Sequence, residues 1–151
     1  MKPATVVIGV GNPDRGDDGA GPAVASRVET AVSSVTTVIR RSDPTSVVDD
    51  LAGAETAYLV DATRSGVEPG TVRRIEVGDA PLAAAGVRYS SHGLDVAEAI
   101  ELARALGRLP RRLVVFGVEG QDFRLGADLS PAVDKATRVI AERILDEVRR
   151  S

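Results

Sequence analysis

The sequence predicts an α/β fold: a single three-layer domain with a twisted, mostly parallel sheet, one antiparallel strand, and helices on both faces. Three observations predict it. The runs Thr5–Val10, Thr56–Val60 and Leu113–Val118 are apolar or small almost throughout, as in strands buried on both faces. Segments with apolar residues at helical spacing alternate with those runs. No linker, repeat or low-complexity stretch divides the 151 residues, so residues 1–151 are expected to share one core.

Each element has a local reason. Thr5 to Val10 is the first strand, broken by Gly11 and Pro13. Pro22 suits the first turn of a helix from Gly21 to about Ser33, with Val24, Val28 and Ala31 on one face. Ser34 to Ile39 is rich in Val and Thr and reads as the second strand. Thr45 to Ala52 reads as a short helix with Thr45 as N-cap. Thr56 to Asp61 is a third buried strand that ends in a carboxylate. After the Glu68-Pro-Gly70 turn, Thr71 to Val77 alternates loosely, which predicts a half-exposed antiparallel edge strand.

Asp95 and Glu98 form a capping box for a helix carrying Val96, Ala99, Ile100, Ala103 and Leu106, closed by Gly107 and Pro110. Leu113 to Val118 is the last strand. Ser130-Pro131 opens a final helix whose stripe is Val133, Ala136, Ile140, Ile144 and Val148.

Composition narrows the function. With 43% hydrophobic and 27% charged residues, the chain is an ordinary globular one. A net charge of −3 and 3% aromatic residues leave neither a basic footprint nor a stacking platform for nucleic acid. The basic pairs, such as Arg40-Arg41 and Arg111-Arg112, are scattered and read as solvated edges. The absence of cysteine removes disulfides, thiolate ligands and thiol nucleophiles together. No apolar stretch approaches the ~20 residues of a membrane span, and the N-terminus has no signal-peptide pattern. A cytoplasmic protein is expected, without membrane or nucleic-acid partners.

Chemistry concentrates at strand ends. Asp17 and Asp18 follow the first strand and its glycine turn, Asp61 ends the third, and His92 sits in a loop before the capped helix. Ligands of open α/β sheets bind at the carboxyl edge, where all these features fall. Each has a plain reading: Asp18 as an anion at a helix N-terminus, Asp61 as a turn cap or partner of Arg64, His92 as an exposed loop side chain. Together, two carboxylates and an imidazole make an open nitrogen and oxygen site suited to nickel, iron or zinc. The dinucleotide fingerprint is not completed after Gly9-Val-Gly11, and no P-loop, G-x-S-x-G elbow or H-E-x-x-H motif occurs.

These residues resemble the hydrogenase maturation endopeptidases over nearly the whole chain. The resemblance rests on Gly9-Val-Gly-Asn12, the acidic pair Asp17-Asp18 with Gly19 and Gly21, Val60-Asp61-Ala62, Ser91-His92, and Val114-Val-Phe-Gly-Val-Glu119. It implies a cytoplasmic, aspartic-type endopeptidase that removes a C-terminal extension from the nickel-loaded large-subunit precursor of a hydrogenase. Nickel is implied as the recognition element, carried by the substrate and held weakly or not at all by the free enzyme. Asp18, Asp61 and His92 are the residues implied to contact it.

One segment departs from the family. An Asp-Gly-Gly-Thr-like stretch, with a candidate catalytic aspartate, usually follows the second strand. Here it reads Ser42-Asp43-Pro44-Thr45, with Asp43 one residue late and Pro44 restricting the backbone where glycine is usual. Asp43 is the candidate catalytic residue, with a turn residue before proline as its plain reading. The departure also leaves open a nickel-dependent binding or chaperone protein of the same fold without peptidase activity.

Overall fold

The computed structural model describes residues 4–41, 43–79 and 96–150. Along the chain run β1 (Thr5–Val10), a 3-10 turn (Gly16–Gly19), α1 (Ala20–Ala31), β2 (Thr36–Arg40), α2 (Pro44–Ala52) and β3 (Thr56–Thr63). Then come β4 (Val72–Glu76), α3 (Val96–Ala105), β5 (Arg112–Glu119) and α4 (Pro131–Arg150). The strands form one sheet in the order β2-β1-β3-β5-β4. The pairs β1–β2, β1–β3 and β3–β5 are parallel, and β4 runs antiparallel to β5 at one edge, as its alternation predicts.

Strand alternation divides the core in two. Val7, Tyr58, Val60, Val114 and Phe116 pack against α1 and α4, whereas Val6, Ile8, Leu59, Leu113 and Val115 pack against α2 and α3. Each fully buried Val, Leu or Ile contributes about 1.5–3 kcal/mol of transfer free energy, so the two slabs fix the strand register. The α4 stripe is placed as expected: Val133, Ala136, Ile140 and Ile144 are buried, and Val148 is partly so.

Four details of the sequence reading are corrected. The loop after β1 folds into a 3-10 turn, so α1 begins at Ala20 with Gly19 at its N-cap. The N-cap of α2 is Asp43, not Thr45: its carboxylate accepts from the Thr45 N–H at 2.9 Å, and Pro44 takes the first turn. β3 runs past Asp61 to Thr63, because β5 continues to pair with it after β1 has ended. Ala31 and Leu106 lie exposed at or beyond the helix ends, where no sheet faces them. The capping-box residue Asp95 lies outside the described residues.

Among the parallel strands the connections reverse direction at β1. From β1 the chain steps outward to β2, then returns to place β3 on β1's other side. The carboxyl ends of β1 and β3 therefore flank the topological switch point, the crevice where open α/β sheets receive ligands.

Candidate functional site

The switch point carries two of the predicted site residues. Val10, the last residue of β1, stands in register with Asp61 on β3. Gly11 follows Val10 with φ +138°, a conformation that suits glycine. A β-carbon there would collide with the Asp18 backbone and lie 3.5 Å from its carboxyl carbon. Asp18 thus packs directly on the end of β1, one strand from Asp61. Both are nearly fully buried, 2% and 5% exposed, at the bottom of the crevice rather than on the surface.

Asp18 lies in the acidic turn that leads into α1 but does not cap that helix. The N-cap position of α1 belongs to Gly19 and has no side-chain cap bond. Instead, the Asn12 N–H donates to Asp18 Oδ2 at 2.7 Å. The Asn12 side chain accepts from the Asp14 N–H at 2.9 Å, so Asn12 shapes the turn. Arg64 does not serve as Asp61's ion partner; its guanidinium lies 4.2 Å above the Phe123 ring.

Asp61 shares the sheet face of Leu59, two residues before it, and that face carries α2 and α3. Asp43 begins α2 there, exposed, with its carboxylate accepting from the Thr45 N–H and, at 2.9 Å, from the Ser46 hydroxyl. The Ser46 hydroxyl first and the Thr45 N–H second hold the Asp43 carboxyl below its ordinary value. With both carboxylate oxygens engaged by the first turn of α2, Asp43 acts here as the helix cap. Ser42 and His92 lie outside the described residues. Among the described residues no group of three His, Asp or Glu side chains that could hold a metal occurs.

Two buried carboxylates of the site were assigned no such part by the sequence. Asp17, fully buried, is a splint. Its Oδ2 accepts from the Gln121 N–H (2.8 Å), the Asp122 N–H (2.9 Å) and the Ser130 hydroxyl (2.8 Å), and its Oδ1 accepts from the Ser130 N–H (2.7 Å). It pins the turn that carries Asp18 to the loop ahead of α4. Glu119, 3% exposed at the end of β5, accepts among the described residues from Thr63, Ser65 and Gly66, in the stretch just beyond Asp61. Burial pushes the Glu119 carboxyl up, but hydrogen bonds from Ser65, Gly66 and Thr63 outweigh it and hold it below its ordinary value. Nothing local in the sequence marks either role. The partners of Asp17 lie 104 to 113 residues away along the chain.

Beside the crevice, on the α1 side, opens a cleft of about 320 Å³ lined by Pro13, Gly19, Pro22, Ala23, Ile39 and Leu129. Ile39 is 45% exposed there, at the outer edge of β2. The arrangement sets two buried carboxylates at the switch point, beside a cleft of mixed apolar and polar lining.

Comparison with known proteins gives this geometry its context. Residues 42–147 match the hydrogenase maturation protease family. The hydrogenase expression/formation protein HupD of Thiocapsa roseopersicina is 26% identical, over 93% of this chain and 69% of its own length. HupD of Bradyrhizobium diazoefficiens is 27% identical, over 97% and 82% respectively. The fold superposes on the hydrogenase maturating endopeptidase HybD from E. coli with a TM-score of 0.80 at 23% identity, covering 97% of this chain and 93% of that one. It superposes on the NiFe hydrogenase maturation protease HycI from Thermococcus kodakarensis with a TM-score of 0.72 at 27% identity, covering 96% and 92%. The chain belongs to the hydrogenase maturation protease family and is a peptidase.

Proposed function

We propose that this peptidase removes a C-terminal extension from the large-subunit precursor of a nickel hydrogenase, after nickel has been inserted. The observation that carries the reading is the placement of both acids at the switch point: Asp61 on β3, in register with the last residue of β1, and Asp18 in the turn packed on that end of β1. Nickel arrives as part of the substrate. Asp18 and Asp61 meet it from the sheet, and His92 supplies the nitrogen ligand of the set. Oxygen and nitrogen donors without sulfur suit that ion. Two carboxylates one strand apart repel each other, and a divalent cation relieves the repulsion. The substrate is therefore held firmly only when metal-loaded, and the scissile bond is localised by proximity. The cleft beside Ile39 gives room for the peptide that flanks the bond. Cytoplasm is the compartment we assign.

Asp43 is the residue we assign to assist hydrolysis. That role requires its carboxylate to leave Thr45 and Ser46 when the precursor docks. The test combines the protein with nickel-loaded large-subunit precursor and follows precursor mass by mass spectrometry. Loss of a C-terminal peptide from the loaded precursor alone is the expected result. An unchanged mass under nickel-loading conditions overturns the proposal.

A further inference from the structure

We propose that Glu119 is a positioning residue for this peptidase, setting where Asp61 stands relative to Asp18; the inference rests on the function proposed above. Glu119 gathers the chain that leaves Asp61. Thr63 Oγ1 donates to it at 2.9 Å, the Ser65 hydroxyl at 2.8 Å, the Ser65 N–H at 2.9 Å and the Gly66 N–H at 3.0 Å. Both carboxylate oxygens are used. The backbone reinforces the arrangement, since the Gly120 N–H donates to the Thr63 carbonyl at 3.0 Å.

The residues that follow serve the other carboxylate. Gln121 and Asp122 donate their N–H groups to Asp17, the neighbour of Asp18. The single stretch 119–122 therefore fastens both loops: Glu119 takes the one behind Asp61, and the Gln121 and Asp122 N–H groups take the one bearing Asp18 through Asp17. There is little slack between them, because a β-carbon on Gly120 would lie 3.0 Å from the Asp17 β-carbon and against the Phe123 ring. Without the Glu119 carboxylate, residues 63–66 lose four donors' worth of anchoring, and Asp61 sits at the head of that loosened segment.

The chemistry of the donors yields a sharp test. Glu119→Ala removes every one of these bonds. Glu119→Gln can keep them: its carbonyl oxygen accepts from the Ser65 and Gly66 N–H groups, while its amide nitrogen donates to the Thr63 and Ser65 hydroxyls, which rotate to accept. Cleavage of nickel-loaded precursor is measured well below each variant's melting temperature, with amide hydrogen exchange at Ser65 and Gly66 as the structural readout.

Misplacement of a contacting group by about 1 Å lowers turnover on the order of 100-fold. The expected result is a loss of about tenfold to 100-fold for Glu119→Ala with faster exchange at both amides, and cleavage near the native rate for Glu119→Gln. Native-rate cleavage by Glu119→Ala overturns the inference. So does a Glu119→Gln that is as inactive as Glu119→Ala while its two amides stay protected, since that outcome makes Glu119 a direct acid or base. If Glu119→Ala does not fold, Glu119→Asp, one methylene shorter, carries the test: native-rate cleavage overturns the inference, and a loss with faster exchange supports it. A native chain that leaves the loaded precursor intact overturns the proposed function, and this inference with it. Native cleavage alongside an equally active Glu119→Ala overturns this inference alone.

Discussion

Replacing Asp17 by asparagine separates the two members of the acidic pair. The native carboxylate accepts four hydrogen bonds, three on Oδ2 and one on Oδ1, and is fully buried. Asparagine retains one oxygen. Its best orientation places that oxygen at the Oδ2 position, which keeps the Gln121, Asp122 and Ser130 hydroxyl bonds. Its amide nitrogen then faces the Ser130 N–H across about 2.7 Å, donor against donor.

An unsatisfied buried donor costs about 1–3 kcal/mol, and bonds to a charged acceptor are roughly twice as strong as neutral ones. A net loss of about 3 kcal/mol follows for Asp17→Asn. At about 2–4 °C per kcal/mol for a domain of this size, the melting temperature falls by about 6–12 °C. Urea unfolding followed by circular dichroism measures it, with the midpoint lowered and the slope unchanged. Asp18→Asn keeps an oxygen for the Asn12 N–H and is expected to lose less stability. If Asp17→Asn melts within about 2 °C of the native protein, the splint argument is wrong.

Other perturbations address the crevice and the frame. Asp18→Asn, Asp61→Asn and His92→Ala should each cut cleavage of loaded precursor by at least about tenfold with the fold intact by circular dichroism; undiminished cleavage by any one removes that residue from the nickel set. Asp43→Asn keeps the α2 cap, because asparagine caps as well as aspartate. It should abolish cleavage while a pull-down still captures the precursor, and full activity would end the hydrolytic assignment. Gly21→Ala should destabilise the protein, since its β-carbon would meet the Val60 carbonyl, the Val10 carbonyl oxygen at 2.6 Å and the Val10 nitrogen at 2.7 Å. Backbone atoms cannot turn aside, so overpacking of about 1–3 kcal/mol outweighs the gain of about 1 kcal/mol in helix propensity; a melting temperature at or above native would refute this.

Acid should weaken the fold. Burial pushes Glu119 and Glu147 up, but hydrogen bonds at the first, and Arg74 and Arg112 at the second, hold both below the ordinary 4.5. Such groups stabilise fully above that value and lose their contribution as pH falls through it toward the folded pKa. The urea midpoint should therefore be level above about pH 5 and drop below it, and Glu147→Gln should flatten the drop. A midpoint that does not change down to about pH 3 contradicts the linkage.

The fold was legible where the signal is local. The apolar runs and the α4 stripe state their own burial, and the loose alternation after Gly70 marked β4 as an edge. Boundaries slipped where a partner decides them: β3 gains Ala62 and Thr63 only because β5 runs alongside. Asp43 was legible as the α2 cap, since an aspartate before a proline at the first turn is a helix start, yet the threonine two residues later drew the assignment. The crevice was half legible. Asp18 and Asp61 are marked by following apolar runs, and β1–β3 pairing sets Asp61 beside the end of β1 on which Asp18 packs. The work of Asp17 and Glu119 is nonlocal, since a carboxylate that accepts from backbone groups has no sequence pattern for its donors.

The splint at Asp17 also bears on how the enzyme is made. Its donors, Gln121, Asp122 and Ser130, are translated long after the loop they secure. Before residue 121 is added, the turn bearing Asp18 has its local bonds with Asn12 and Arg15 but not the long-range clasp at Asp17. The Asp17 clasp is therefore complete only once residues 121–130 have docked against the turn, which makes the carboxyl-terminal third of the chain part of the site's frame.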